Sequence, residues 1–295
     1  MSIIDEIKES FNKGTILTRL IYINIAVFLA FALLNVISNL FQIQIPPIVS
    51  YFMVPADLGQ LILQPWSLIS YMFLHQGMWH LIINLAWLYF GGSLLLQYFD
   101  SKKLLAIYLL GGIAGAAMYI LAYNLFPMFA GQTEISKALG ASASVLAIVV
   151  AIATYIPNYK VRLFLFGKVK LKYIAIIAVI IDVLSLSGGN AGGHFAHLGG
   201  AIFGFMFSYQ WLKGRDLTAR FVMFLNSIED LFKSKPKKAK MKVKYRSEKA
   251  SDDTYRKQKA ERQQEIDIIL DKINKSGYDS LSKKEKEILF NMSKN

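Results

Sequence analysis

The chain has 295 residues, of which 54% are hydrophobic, and its formal net charge is +13. This apolar content is too high for an ordinary soluble domain and indicates a membrane protein that crosses the bilayer several times. Cysteine is absent, which excludes disulfides, thiolate catalysis and cysteine-based metal sites.

Six apolar stretches are predicted to be membrane-spanning helices, for which roughly 17 to 25 residues are needed. In chain order they are Leu20–Leu40, His80–Tyr98, Leu104–Phe126, Ala141–Ile156, Tyr173–Leu186 and Gly193–Leu212. The fourth and fifth are short by this standard. The acidic N-terminus lacks the pattern of a cleavable signal, so the first stretch is expected to remain in place. The predicted fold class is all-α, a polytopic bundle of six transmembrane helices followed by a soluble helical tail.

The distribution of Lys and Arg predicts the orientation of these spans. Neither residue type occurs between Arg19 and Lys102, whereas basic residues follow the second, fourth and sixth spans. Because cytoplasmic loops are rich in Lys and Arg, both termini are predicted to be cytoplasmic. The expected location is a cell membrane, specifically a bacterial inner membrane, with the even-numbered spans beginning on the outer side.

Polar residues collect at the outer ends of these spans. All four histidines of the chain lie there: His75, His80, His194 and His197. A hydroxyl and an imidazole at membrane depth need partners, because hydrocarbon offers few. A lone serine usually lines a helix contact, which is our interpretation of Ser144. Gly200 and Gly204 have the small-xxx-small spacing that permits close helix packing, and such packing would bring His197 to Ser142.

Together, Ser142 and His197 would form a nucleophile and a general base for acyl transfer. We expect no acidic residue to complete a triad. Asp182, which is the intramembrane carboxylate, is interpreted as structural or gating, with a catalytic role as the alternative. His80 and Asn84 share one helix face at i and i+4. With the free backbone amide of Ser142, they could form an oxyanion hole; the alternative is a structural hydrogen bond between spans.

These residues resemble the rhomboid family of intramembrane serine proteases. The resemblance covers roughly Thr18 to Trp211. The matching segments are His75-x4-His80-x3-Asn84, the Gly140-Ala141-Ser142 part of the family's Gly-x-Ser-Gly, and Ala196-His197-x-x-Gly200-x-x-x-Gly204.

The resemblance implies roles for these positions. Ser142 would be the nucleophile and His197 the general base, with His80, Asn84 and the Ser142 amide as the oxyanion hole. Structural residues near the site would be His75, which helps to hold the outer loop, together with Gly140, Gly200 and Gly204.

The resemblance also implies how substrates would reach the site. The segment 42–75 would be a partly membrane-dipping loop. The fifth span and the 187–193 loop would be a lateral gate and cap. Substrates would be single-pass or polytopic transmembrane proteins cleaved near the outer membrane face, and neither a cofactor nor a metal is expected.

Two positions depart from the family pattern. Ala143 stands where the family usually has glycine, and its methyl group could narrow the packing against the sixth span or the substrate path. His194 lies outside the pattern, and its position before the predicted helix favours a cap contact or a water-exposed residue.

The C-terminal part is predicted to be a tail of two segments. We expect an interfacial helix and basic linker over 216–259, after a membrane domain over 1–215. The basic run Lys233–Arg246 would attract anionic lipid headgroups; no nucleic acid is expected. From about Ala260 to 295 we predict a small helical hairpin. Its first helix carries an apolar stripe of Ile266, Ile269, Leu270 and Ile273, and a capping box of Ser282 and Glu285 opens its second.

Three functions compete at this point. The main hypothesis is intramembrane serine proteolysis. The second is a catalytically inactive rhomboid-like module that binds membrane-protein clients, which Ala143 would permit. The third is a metal site or transporter built on the four histidines, although their spacing matches no common zinc pattern and no carboxylate obviously joins them.

Overall fold

The computed structural model describes residues 2–43, 48–163, 167–232 and 252–292. The chain divides into two compact units, Met1–Ser234 and Lys235–Asn295. The basic segment predicted at Lys233–Arg246 lies outside the described residues.

The first unit consists mainly of helices. In chain order they are α1 (Ile3–Lys13), α2 (Ile16–Phe41), α3 (Leu58–Leu63), α4 (Ser67–Ser70), α5 (Met78–Leu95), α6 (Ser101–Leu125), α7 (Ser142–Tyr155), α8 (Leu171–Leu184), α9 (Ala191–Leu212) and α10 (Ala219–Phe232). The unit also contains two short antiparallel strand pairs: β1 (Val54–Pro55) with β2 (Lys137–Ala138), and β3 (Lys160–Leu163) with β4 (Gly167–Lys170).

Each of the six predicted apolar stretches forms one helix, namely α2, α5, α6, α7, α8 and α9. Among the described residues, α2, α5 and α6 are long and apolar enough to cross a membrane. The helices α7 and α8 have only 14 residues each. At 1.5 Å per residue they reach about 21 Å, which is less than the roughly 30 Å hydrocarbon core.

The centre of the first unit is α7, which packs against α5, α6 and α9. Side chains on all its faces are buried, including Ala147, Ile148 and Ile152. Glycines allow its neighbours to approach closely. A Cβ added at Gly200 or Gly204 of α9 would overlap a carbonyl oxygen of α7. The spacing of these two glycines therefore does reflect a close helix contact, and that contact is with α7.

The segment between α2 and α5 is tied to the segment that precedes α7. Strand β1 pairs with β2, and the Gln60 side chain donates to the Glu134 carbonyl at 2.8 Å. Further along, the buried Tyr71 donates its hydroxyl to the Gly112 carbonyl of α6 at 2.6 Å. These bonds hold the segment between α2 and α5 against the segment before α7 and against α6.

The basic residues that follow α5 are paired near the opposite end of the unit. Lys103 forms an ion pair with Asp216 and donates to Thr218, and Lys102 pairs with Glu229 of α10 at 3.1 Å. Burial alone would raise the pKa of Asp216. The hydrogen bonds from Lys103 and Thr218 outweigh it and hold that pKa below its usual value.

The second unit contains α11 (Asp252–Ser276) and α12 (Lys283–Met292). The first helix begins before Ala260, where the sequence predicts the hairpin to start. It ends at Gly277, whose φ of +77° favours glycine. The predicted capping box is present, because the Ser282 amide donates to Glu285 at 2.7 Å and the Glu285 amide to the Ser282 hydroxyl at 3.4 Å. Of the predicted stripe, Leu270 is exposed, whereas Ile269 is buried.

Candidate active site

The structure brings together the two residues that the sequence singles out. Ser142 is the first residue of α7, and His197 lies in the second turn of α9. The His197 Nε2 atom is 2.7 Å from the Ser142 Oγ atom. This is hydrogen-bonding distance between a potential nucleophile and a potential base.

Small residues make this contact possible. Gly200 of α9 lies against the backbone of Ala143, so α7 and α9 meet within one residue of Ser142. The methyl group of Ala143 faces α6, where a Cβ at Gly115 would be 2.5 Å from it. The missing side chain of Gly115 therefore provides the room that the Ala143 methyl occupies. The methyl therefore lies on the α6 side of α7, and Ala143 is not among the residues that line the cavity described below.

Gly140 shapes the backbone just before the serine. Its φ is +134°, a conformation that other residues rarely adopt, and its amide donates to the Tyr71 carbonyl at 2.9 Å. A Cβ at this position would lie 3.3 Å from His80 Nε2 and 3.5 Å from Ser142 Oγ. The bare glycine thus leaves a small space between the imidazole of α5 and the hydroxyl of α7.

His80 and Asn84 line the α5 side of that space. The Gln76 amide donates to His80 Nδ1 at 3.4 Å, which leaves the proton of a neutral ring on Nε2. The Asn84 amide donates one of its two hydrogens to the His80 carbonyl at 2.7 Å. The other hydrogen stays available to a ligand.

His75 lies just before α5, and its ring packs edge-on against His80 with centroids 5.2 Å apart. Burial lowers the pKa of His75 to about 4, and the neighbouring imidazole acts in the same direction. The ring is therefore neutral at physiological pH, and it supports His80 from the loop side.

Two predictions about this site are wrong. We expected no acidic residue near the pair, yet Asp182 of α8 has its Oδ1 atom 2.7 Å from His197 Nδ1. We expected His194 to be a cap contact or water-exposed before the helix, but it lies within α9, and its Nδ1 atom is also 2.7 Å from Asp182 Oδ1. The sequence did carry a signal: a single carboxylate in an apolar stretch, and two histidines at i and i+3 on one helix face.

These three residues also contradict the expectation that no carboxylate joins the histidines. Asp182 does join two of them, and one ligand atom each from Asp182, His194 and His197 lie within 4.8 Å of one another. Such a set could hold a metal ion. Two N–H groups donating to one carboxylate oxygen at hydrogen-bonding distance account for the arrangement equally well.

A cavity of about 690 Å³ contains the site. Its polar wall includes five of the residues described above: Ser142, His197, Asp182, His80 and Asn84. Its apolar walls come from α5 and α8 and include Ile83, Trp87 and Ile181. Each of these three side chains is at least partly exposed to the surface. The cavity is therefore flanked by α5 and α8, and both helices carry exposed apolar side chains.

The fold and the site define a class of protein, a multi-pass helical membrane protein with a serine and a histidine joined at the ends of two packed helices. A family model for the rhomboid domain matches residues 63–214, more than half of the chain. The chain belongs to the rhomboid family. A second model, for a family of unknown function (DUF6576), matches residues 245–295.

Three relatives each align with less than half of this chain. RHOMBOID-like protein 12, mitochondrial, of Arabidopsis thaliana is 31% identical over 46% of this chain and 43% of its own length. Presenilin-associated rhomboid-like protein A, mitochondrial, of Danio rerio is 30% identical over 45% of this chain and 34% of its own. Inactive RHOMBOID-like protein 8 of Arabidopsis thaliana is 33% identical over 28% of this chain and 23% of its own length. The chain thus spans less than half the length of each.

Proposed function

We propose that this protein is an intramembrane serine endopeptidase that cleaves transmembrane protein substrates near the outer membrane face. The observation that carries the proposal is the 2.7 Å contact between His197 Nε2 and Ser142 Oγ inside a cavity. Family membership supports the same reaction class, because rhomboids are generally serine proteases.

In the proposed reaction, His197 Nε2 accepts the Ser142 hydroxyl proton as Oγ attacks the scissile carbonyl. The imidazolium then gives that proton to the departing amine as the C–N bond breaks, which leaves an acyl-enzyme. Water, deprotonated by the same nitrogen, attacks the ester. The C–Oγ bond breaks and the proton returns to Ser142.

The negative oxygen of each tetrahedral intermediate would occupy the space beside Gly140. His80 Nε2–H, the second hydrogen of Asn84 and the backbone amide of Ser142 are the donors available there. The Ser142 amide is free because first-turn amides have no intrahelical acceptor. Each such donor typically contributes on the order of 10² to 10³ in rate.

Substrates would be transmembrane segments that reach the cavity from the lipid, between α5 and α8. We propose six spans with both termini on the side where Lys and Arg collect, so that Ser142 lies toward the opposite face. Two of the relatives are named as mitochondrial proteins, whereas the membrane that we expect for this chain from its sequence is a bacterial inner membrane. The proposal requires only a membrane that α5 and α8 both contact.

The second candidate is a client-binding protein without catalysis. One relative is named as inactive, and Ala143 replaces the usual glycine. Against it stands the packing of the Ala143 methyl into the space left by Gly115, which leaves Ser142 and His197 in contact.

The test is cleavage of a transmembrane substrate with a destabilised helix by the full-length protein in lipid vesicles. We expect Ser142→Ala and His197→Ala each to abolish turnover, because nucleophile and base act as a unit. Ser144→Ala is the matched control. It removes a buried hydroxyl two residues away, and turnover should persist. Fluorophosphonate labelling of Ser142 reports the nucleophile separately.

Three results would reject the proposal. Turnover by Ser142→Ala would show that Ser142 is not the nucleophile. Activity lost on adding a chelator would favour the metal alternative. A folded protein that binds the substrate without cleaving it, and that resists fluorophosphonate, would favour the client-binding module.

A further inference from the structure

We infer that Asp182 is a positioning residue for His197, held in place by His194, so that the site is a linear Ser142–His197–Asp182 arrangement within the membrane. The inference rests on the proposed function, because it concerns how the base is oriented.

The geometry places Asp182 on the far side of the ring from the serine. His197 contacts Ser142 through Nε2 and Asp182 through Nδ1, at 2.7 Å in both cases. The carboxylate belongs to α8, the serine to α7 and the imidazole to α9. Three helices therefore fix the position of one ring, and the Asp182 side chain is only 8% exposed.

The carboxylate decides which ring nitrogen carries the proton. An ionised carboxylate only accepts hydrogen bonds, so a neutral His197 must donate from Nδ1. Its Nε2 then bears the lone pair, and that lone pair faces the Ser142 hydroxyl. The other tautomer would point an N–H at the serine and would have no base to offer.

The carboxylate also stabilises the charge that develops during the reaction. When Nε2 accepts the serine proton, the ring becomes an imidazolium 2.7 Å from an oxygen of the buried Asp182 carboxylate. The proton on Nδ1 stays on the ring, so Asp182 remains ionised throughout. A neutral amide in its place would keep the shape and lose this attraction.

His194 fixes the carboxylate itself. Its Nδ1 atom contacts the same Oδ1 atom as His197, at 2.7 Å, from one turn earlier on α9. Two donors on a single oxygen restrict the rotation of the Asp182 side chain. Among the described residues, Asp182 is also the buried residue in the second half of α8, so this contact anchors that half of the helix to α9.

The experiment compares Asp182→Asn with Asp216→Asn in the full-length protein. Both changes remove one partly buried carboxylate charge, but Asp216 pairs with Lys103 away from the cavity. We expect Asp182→Asn to lower kcat by about 10² to 10⁴ with KM nearly unchanged. Asp216→Asn should leave kcat at the wild-type value. His194→Gln should lower kcat by about tenfold.

A second readout is independent of turnover. With only four histidines, ¹⁵N-histidine NMR can resolve each ring, and His197→Ala assigns the relevant signals. We expect the resting wild-type enzyme to hold the His197 proton on Nδ1 as a strongly downfield resonance, and Asp182→Asn to lose it. Because this uses the wild-type protein, it tests the inference even where a variant fails to fold.

The inference is overturned by a folded Asp182→Asn enzyme with wild-type kcat, or by a wild-type His197 protonated on Nε2. Either result leaves the proposed function intact as long as Ser142→Ala is inactive. If Ser142→Ala cleaves normally, the proposed function is rejected, regardless of the result for Asp182→Asn.

Discussion

The helices α7 and α8 have the same length and a similar apolar composition, but they are packed in opposite ways. Ten of the 14 residues of α7 are buried. Only Leu171, Ala175 and Asp182 are buried among the 14 of α8. Ser142 is carried by the helix that is buried on every side, whereas Asp182 is carried by a helix that contacts the unit along one edge. The proposed site therefore combines a firmly packed helix with a peripheral one.

The largest effect is expected from separating α7 from α9. Gly200→Val would place a branched side chain where even a Cβ overlaps the Ala143 carbonyl oxygen. The two helices must move apart, and the Ser142–His197 contact is then lost. We expect no cleavage and a destabilisation of about 3 kcal/mol or more, measured by thermal unfolding in detergent.

Gly189→Ala is the control for this change, because no atom lies within 4 Å of the added Cβ. It should unfold at the same temperature as the wild type, because the added methyl group meets no neighbouring atom. A Gly200→Val protein with normal activity would show that α7 is held less firmly than its burial indicates.

The next prediction concerns whether α8 must move away from α5 before a transmembrane substrate can enter the cavity. Ile83 of α5 and Ile181 of α8 line opposite walls of the cavity. The chain has no cysteine, so a reversible cross-link between Ile83→Cys and Ile181→Cys is unambiguous. We expect the cross-linked double variant to cleave a transmembrane substrate about tenfold or more slowly, because gating then limits turnover.

Labelling by a small fluorophosphonate should persist in the cross-linked protein, and release of the link should restore cleavage. Each single cysteine variant serves as a control. Equal loss of labelling and cleavage would mean that the link distorts the site, and undiminished cleavage would place substrate access elsewhere.

A matched pair of isoleucines compares the two helices directly. Ile148 in α7 is completely buried, whereas Ile177 in α8 is 54% exposed. Ile148→Ala should cost about 2 to 5 kcal/mol of unfolding free energy, because it leaves a cavity that its neighbours cannot fill. Ile177→Ala should change it by no more than about 0.5 kcal/mol. Equal effects in reversible unfolding would contradict the packing difference.

Much of this architecture follows from local sequence pattern. Apolar length identified all six helices, and the spacing of Gly200 and Gly204 identified a close contact. Motif order and the distribution of Lys and Arg identified Ser142 and His197 as a pair. Helix length and glycine spacing each lie within one segment of the chain, where period and composition are sufficient.

The contact between Asp182 and His197 could not be predicted from the sequence, because it depends on the tertiary structure. Whether Asp182 faces His197 depends on the rotation of α8 about its own axis, and a helix that is apolar on nearly every side carries no pattern that fixes this rotation. The direction of the Ala143 methyl depended in the same way on Gly115, 28 positions earlier. The two-residue pairing of β1 with β2 is too short to show any period.

The smallest effect is expected in the second unit. The start of α12 is stabilised by hydrogen bonds to an exposed carboxylate, whereas α7 is stabilised by burial. Hydrogen bonds from Ser282 and from Lys272 lower the pKa of Glu285 to about 2, from an ordinary value of 4.5. Because the folded-state pKa is depressed, this stabilisation of α12 is complete above pH 4.5 and is lost as the pH falls toward 2.

Carboxyl ¹³C NMR of the full chain should give a titration midpoint near pH 2 for Glu285. Lys272→Met should raise that midpoint part of the way, since the Ser282 amide remains as a donor. A wild-type midpoint at 4.5 would show that the start of α12 is open in solution, and that exposed hydrogen bonds do not fix a helix end as burial fixes α7.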